Sequence, residues 1–330
     1  MTLSIKEIIS NIFRGTRKNI KFLYYANGIR MYLTPRWWCR FRAAHILSSY
    51  ESLSDSEKDI INERVSYYCN PNTPVSLPPN APQLRDNRYK SDLVKNTVYF
   101  FDTMEYTRCF KPELHWMVSG GDVRIEVAYP AITKSRPIPP PSTLKSNNIL
   151  LNMDKVRHFI FLNDPFKWEE KTCRIIFRGI VRGKENRRKF IEMWGNHPLC
   201  DLSDTSKGMS IYAHLKYRYI MALEGNDVAS NLKWVMSSNS IAVMPRPTCE
   251  TWFMEGRLIP NYHYIEISRD FSDLIDKIEY YEAHPEEAKA IIHHAHKWVR
   301  QFQDKKRERM ISLMVMQRYL IMTNKTSSVL

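Results

Sequence analysis

No run of about 18 apolar residues occurs in this 330-residue chain, so no membrane-spanning helix is expected. The opening MTLSIKEIISNIFRG lacks the leading basic residues, long apolar stretch and small-residue cleavage site of a signal peptide, which predicts a cytoplasmic protein. The six cysteines (Cys39, Cys69, Cys109, Cys173, Cys200 and Cys249) include no Cys-x-x-Cys pair. They predict neither a zinc site nor a disulfide framework, but free thiols in a reducing compartment. Walker and GxGxxG loops are missing, which weakens ATPase and dinucleotide readings. There is no Asp-x-Asp, the acidic pair with which many enzymes clamp a metal onto a diphosphate. His293, His294 and His296 stand close together, but only His293 and His296 share a helix face, and no carboxylate or cysteine completes a shell. They read as solvated helix residues, and Met310, Met314 and Met316 as packing.

Acid is also scarce at one end. Residues 1–48 hold nine basic residues (Lys6, Arg14, Arg17, Lys18, Lys21, Arg30, Arg36, Arg40 and Arg42) against Glu7 alone, hence +8 of the net +14. Phe13, Phe22, Tyr24, Tyr25, Tyr32, Trp37, Trp38 and Phe41 are interleaved. Basic residues mixed with aromatics suit an anionic membrane surface, a nucleic acid, or a basic helical pair that only packs on the body.

What is present is a core. Hydrophobic residues make up 43% of the chain, and its length suggests two domains of ordinary size. Residues 3–13 carry a helical stripe, and Asp55–Tyr68 reads as a helix capped by Ser54 or Asp55. The prolines of Cys69–Leu84 mark a linker or wrapping loop. Between 96 and 164, Val98–Phe101, His115–Val118 and Arg157–Leu162 read as strands, with a Pro-rich insert at Arg136–Pro141. From Lys171 the rhythm is regular. Arg174–Phe177, Tyr219–Leu223, Ile241–Met244 and Tyr262–Ile267 read as strands. Glu185–Trp194, Ile211–Arg218, Ala229–Ser237, Phe271–Tyr281 and a segment opening at His284 read as helices. Strands alternating with helices predict a nucleotide-binding type of parallel α/β domain.

Three constellations carry chemistry. In Phe177-Arg178-Gly179-Ile180-Val181-Arg182-Gly183-Lys184 a strand ends, glycines permit a tight turn and a helix begins, with Arg187 and Arg188 just behind. Helix-terminal amides and arginine forks together suit a diphosphate. Glu224-Gly225-Asn226-Asp227, followed by Ser230, Asn231 and Lys233, is a polar cluster at a strand end; it can bind sugar hydroxyls or phosphate, and Asn226 or Asp227 can equally cap the helix. Ser119-Gly120-Gly121-Asp122 puts a carboxylate on a glycine turn, where it can serve as a general base or be an ordinary turn aspartate.

Together these residues resemble glycosyltransferase family 90, which includes bacterial lipopolysaccharide A proteins, fungal capsule-associated proteins and eukaryotic protein O-glucosyltransferases. The resemblance rests on IIFRGIVRGKENR (Ile175–Arg187), KYRYIMALEGNDVASNLKWVMSSNSIAV (Lys216–Val243) and ETWFMEGRLIPNYHYIEI (Glu250–Ile267). In the bacterial lipopolysaccharide branch it extends over SGGDV, Lys134–Ile138 and Asn147–Pro165.

The resemblance implies an α/β fold of GT-B type, with two Rossmann-like domains facing a cleft and a helical basic N-terminal extension. The expected boundaries are an extension and linker at 1–84, an acceptor-side domain at 85–168, a nucleotide-sugar domain at 169–302, and a C-terminal helix at 303–330 that crosses back. It further implies an inverting, metal-independent enzyme without cofactor. Such an enzyme moves a hexose from a UDP-sugar to a hydroxyl of the lipopolysaccharide inner core. Asp122 is the implied base. Arg178, Gly179, Arg182, Arg187, Glu224, Gly225, Asn226, Asp227, Ser230 and Glu250 are the implied donor residues. Many relatives, notably the eukaryotic ones, carry an arginine shortly before or after the Ala-Ser, where this chain has Ala229-Ser230-Asn231-Leu232-Lys233; Lys233 is expected to substitute as a point charge. Residues 1–48 are expected to hold the enzyme at the inner face of the cytoplasmic membrane, with no nucleic-acid partner. A capsule, other surface glycan or protein acceptor is the alternative within the family, and a non-catalytic basic adaptor is the alternative outside it.

Overall fold

The computed structural model describes residues 21–70, 75–89, 91, 93–94, 96–138, 146–205 and 208–330. The expected helix over 3–13 lies outside the described residues. In chain order the first helices are α1 (Lys21–Leu33), α2 (Arg36–Ser48), α3 (Asp55–Tyr68) and α4 (Thr97–Thr107). Short strands β1 (Val118–Ser119), β2 (Ala131–Thr133), β3 (Ser135–Pro137) and β4 (Asn148–Leu150) follow, then α5 (Lys155–His158). The regular part runs β5 (Thr172–Gly179), α6 (Glu185–Trp194), β6 (Cys200–Asp204), α7 (Ile211–His214), β7 (Tyr217–Met221), α8 (Leu232–Met236) and β8 (Ile241–Met244). It closes with β9 (Cys249–Thr251), β10 (Ile265–Glu266), α9 (Leu274–Ala283), α10 (Pro285–Arg300) and α11 (Lys305–Asn324).

The described chain forms two compact units. One is built from Arg157–Thr248 and Glu255–Gln301. Its sheet has the order β10-β8-β7-β5-β6, all parallel. Counted within the unit this is 2-1-3-4-5, a doubly wound order whose direction reverses between β5 and β7. Ile175, Phe177, Tyr219, Met221, Ile241 and Val243 face one side, where they bury with Phe190, Leu274, Ile278 and Ile291 of α6, α9 and α10. Alternation sends Ile176, Ile220 and Ala242 to the opposite face. That alternating burial on both sides is why these strands read as continuous apolar runs.

The other unit contains the segments up to Val156 together with Cys249–Met254 and Phe302–Leu330. It holds a three-stranded parallel sheet, β1-β2-β4, and an antiparallel pair, β3-β9. Its centre is charged. Arg64 of α3 donates to Glu308 of α11 and to the Tyr68 hydroxyl, while Trp252 Nε1 donates to Glu308 Oε2 at 2.5 Å. The Tyr68 and Trp252 rings stack at 3.9 Å. All four are buried, so each polar atom needs the others. The α3 helix starts as expected: Ser54 and Glu57 form a reciprocal capping box.

Several local expectations are corrected. Val98–Phe101 is not a strand but the first turns of α4, capped by Asn96 Oδ1 accepting from Val98 N at 2.9 Å. The aromatic run has strand propensity, but Tyr99, Phe100 and Met104 bury on helical spacing. Arg157–Leu162 is not a strand; α5 ends at His158, and Leu162 N donates to Ser237 Oγ at 2.9 Å. The Arg136–Pro141 insert contributes a strand, β3, because an edge strand tolerates proline. The β1 strand begins only at Val118, while His115 bridges Gln83. His294 is not simply solvated: its ring stacks on Tyr262 at 3.6 Å, and the His296 Nε2 lies 2.8 Å from the Ser238 carbonyl. The cysteines are free thiols, with Cys173 exposed and the others buried. No helix among the described residues is long and apolar enough to cross a membrane.

Candidate active site

A doubly wound sheet opens a crevice at its strand carboxyl ends, where the order reverses. Here those ends are Gly179 of β5 and the residues just after Met221 of β7. Both expected donor turns therefore emerge side by side. Arg187, in the first turn of α6, joins them: Nη1 donates to the Ile180 carbonyl at 3.0 Å and Nη2 to the Leu223 carbonyl at 2.8 Å. Its guanidinium also lies over the Phe177 ring, 5.8 Å from the centroid. Burial lowers the pKa of Arg187 from its ordinary value. A half-buried cation held by carbonyls keeps its charge available to an anion.

Arg178 sits at the end of β5. Its Nη2 donates to Asp201 Oδ1 at 2.6 Å and its Nη1 to the Asp201 carbonyl at 2.7 Å. Burial pushes the Asp201 carboxyl up, but hydrogen bonds from Tyr217 and Arg178 outweigh it and hold the group below its ordinary range. Beside Arg178, on the sheet face of Ile176 and Ile220, lies a cavity of about 280 Å³. His214, Asn231 and Trp234 help line it. Burial lowers the His214 pKa, so the imidazole is neutral at neutral pH, with Nδ1 2.8 Å from the Ser210 carbonyl.

The second turn is tied down from several sides. Glu224 accepts from Thr248 N at 2.8 Å and Thr248 Oγ1 at 2.6 Å, linking the ends of β7 and β8. Asn226 Oδ1 accepts from Lys184 Nζ, a contact between the two turns. Gly225 N donates to the Asp227 carbonyl at 3.1 Å. Asp227 is buried; Arg182 and Ser230 are exposed. Lys233 is fully buried and ion-paired with Glu255, itself 1% exposed.

The remaining two candidates belong to the other unit. Asp122 follows Gly121, whose φ of +99° suits glycine alone. The Asp122 carboxylate, 21% exposed, accepts from the buried Lys134 Nζ. Glu250 is wholly buried in β9, where Oε1 accepts from Arg136 Nε at 2.7 Å and Oε2 from the Tyr67 hydroxyl. The fold thus gathers Arg178, Gly179, Arg187, Glu224, Gly225 and Asn226 at one switch point and holds Asp122 and Glu250 separately. Asp201, Thr248, Lys134 and Arg136 act on these residues without having been singled out for a role. Thr248 and Asp201 carry no local signature; Lys134 and Arg136 lie in the Lys134–Ile138 stretch but need their partners in space to be understood.

A parallel sheet of doubly wound order with Arg178 and Arg187 at its switch point defines a Rossmann-like α/β protein. Residues 151–324 match glycosyl transferase family 90, and the chain belongs to that family and is a glycosyltransferase. It is 36% identical over 309 residues to the O-glucosyltransferase LpsA of Dichelobacter nodosus, across 91% of this chain and 95% of that protein. Protein O-glucosyltransferase 3 of Homo sapiens is 29% identical over 140 residues, and protein O-glucosyltransferase 2 of Danio rerio 27% over 143. Each of those similarities covers 38% of this chain and under a third of the relative. Membership implies a sugar donor and a glycan acceptor.

Proposed function

We propose that the protein transfers a hexose from a UDP-sugar, glucose first among the candidates, to a hydroxyl of lipopolysaccharide inner core at the cytoplasmic face of the membrane. The observation that carries the reading is Arg187, which joins the two donor turns at the switch point. A relative similar over nearly the whole chain is an O-glucosyltransferase LpsA, and its name supports both the sugar and the class of acceptor. In this reading the units are the two halves of a GT-B enzyme. The nucleoside occupies the cavity beside Arg178, and the diphosphate meets Arg178, Arg182 and Arg187. Asp122 takes the proton of the acceptor hydroxyl while its oxygen bonds to the anomeric carbon. The bond from that carbon to the diphosphate breaks on the opposite face, UDP leaves, and the configuration inverts. The arginines stabilise the charge that grows on UDP, so the chemistry asks for no metal. Lys134 keeps the carboxylate oriented.

The test is incubation with a panel of UDP-hexoses and truncated core oligosaccharide, with and without a chelator. Mass spectrometry and NMR of the product report the sugar and its anomeric configuration. Retention of configuration, a chelator-sensitive rate, or transfer from a different nucleotide alone would each sink the corresponding part of the reading.

A further inference from the structure

Helices α1 and α2 show an outward apolar surface that the sugar-transfer chemistry does not use. In α1 the inner side is spoken for: Tyr24 donates to the Asp102 carboxylate at 2.9 Å, and the Tyr24 and Tyr25 rings pack edge-on against Phe101 of α4. Among the described residues the outer side is not. Phe22, Ile29 and Leu33 are 76%, 53% and 74% exposed, and they fall on one stripe because 22, 29 and 33 are seven and four residues apart. The α2 helix repeats the arrangement. Cys39 and Ala43 bury inward, while Trp37 and Phe41, four apart, stand outward at 68% and 60% exposure. Trp38 stacks on Phe41 at 5.6 Å.

Charge is equally one-sided. From residue 8 to residue 50 the chain has no acidic residue, and Arg30 and Arg42 are exposed on these same helices. An apolar stripe flanked by cations, with no acid to repel an anion, is the composition of a helix that lies in a lipid headgroup layer. Tryptophan settles at that depth because its ring is apolar and its N–H polar. A protein partner could cover an apolar stripe equally well, but cations on both helices with no acidic residue between 8 and 50 favour an extended anionic surface. Nucleic acid would use the cations and leave the outward Phe22, Ile29, Leu33, Trp37 and Phe41 unexplained.

We infer that the outer faces of α1 and α2 form a docking surface for anionic phospholipid. This gives the membrane location proposed above a specific set of residues, and it rests on that reading for its biological sense only; lipid binding is measured without any sugar transfer. Full-length protein is floated with vesicles of phosphatidylcholine alone and of phosphatidylcholine with phosphatidylglycerol. The expected result is binding to the anionic vesicles only, weakened by salt, with a blue shift of tryptophan fluorescence. Trp37→Ser/Phe41→Ser abolishes the fluorescence shift and most of the binding. Arg30→Gln/Arg42→Gln weakens binding roughly thirtyfold, the sum of two surface cations. Both variants keep the wild-type circular dichroism and transfer to a water-soluble acceptor at the wild-type rate, which separates this surface from the donor site. Absence of binding to anionic vesicles overturns the inference. So does binding that neither double variant alters, or the finding that Trp37→Ser/Phe41→Ser instead dissociates a dimer. Salt-sensitive oligonucleotide binding with no vesicle binding would reassign the surface to nucleic acid.

Discussion

Arg187 Nη2 donates to the Leu223 carbonyl at 2.8 Å and packs against Gly225 so closely that a Cβ there would stand 3.0 Å from it. The chain returning from β7 thus leaves space for a guanidinium arriving from α6. Gly225→Ala is expected to push that guanidinium aside without disturbing the backbone. UDP should bind roughly tenfold more weakly, the loss of about one hydrogen bond to a charged group. The melting temperature should move little. Calorimetry of UDP binding beside a thermal melt checks both; unchanged affinity means Arg187 does not touch the donor.

Asp122→Asn should lower turnover by roughly a hundredfold to ten-thousandfold, the usual worth of a general base. UDP affinity should stay at the wild-type value. Normal transfer by the variant would remove Asp122 from the role of base. Lys134→Met is expected to reduce turnover as well, because the carboxylate loses the cation that holds it.

Arg178 and Asp201 form a fork that a lysine cannot copy. Arg178→Lys should raise the KM for the UDP-sugar and leave the fold intact, since Asp201 remains hydrogen-bonded by Tyr217 at 2.5 Å. Equal KM values for the two proteins would show that Arg178 serves the sheet rather than the donor.

Lys233→Met should behave differently. The residue is wholly buried with Glu255. Removing one partner leaves a buried charge, which costs about 3–5 kcal/mol. Urea unfolding should show the loss. A drop in UDP affinity with normal stability would instead support the point-charge role expected from sequence.

Stability should also fall in acid. Desolvation pushes the Glu105 carboxyl up, but Lys155 and Arg309 overcome it and bring the pKa to about 2. A carboxylate depressed in the folded state contributes stability that is complete above its ordinary value of 4.5 and is lost as pH falls toward 2. Glu105→Gln should flatten the stability–pH curve over that window, as read by denaturant titration at several pH values.

Particular elements show how far local sequence reaches. Ile241–Met244 was legible as a strand to the residue, and Asp55–Tyr68 as a capped helix, because apolar period and cap are local properties. The arginine turn and the Glu224–Asp227 turn were legible as turns after strands for the same reason. Val98–Phe101 was not, since its aromatics suit a strand, whereas in the structure they lie in a helix capped by Asn96 with Phe101 packed against Tyr24 and Tyr25. Nor were the partners of the buried charges. Glu250 meets Arg136 across 114 residues, and Arg64 meets Glu308 across 244.

The amino-acid sequence alone determined that this is an α/β chain with two polar turns after strands and a basic aromatic beginning. Those properties follow from periodicity, turn chemistry and composition, which act over a few residues. Only the tertiary structure decided that both turns meet at one switch point through Arg187, and that Lys233 and Glu250 are buried in ion pairs. Strand order and long-range pairing set those outcomes. A charged side chain's role depends on which distant partner reaches it before water does.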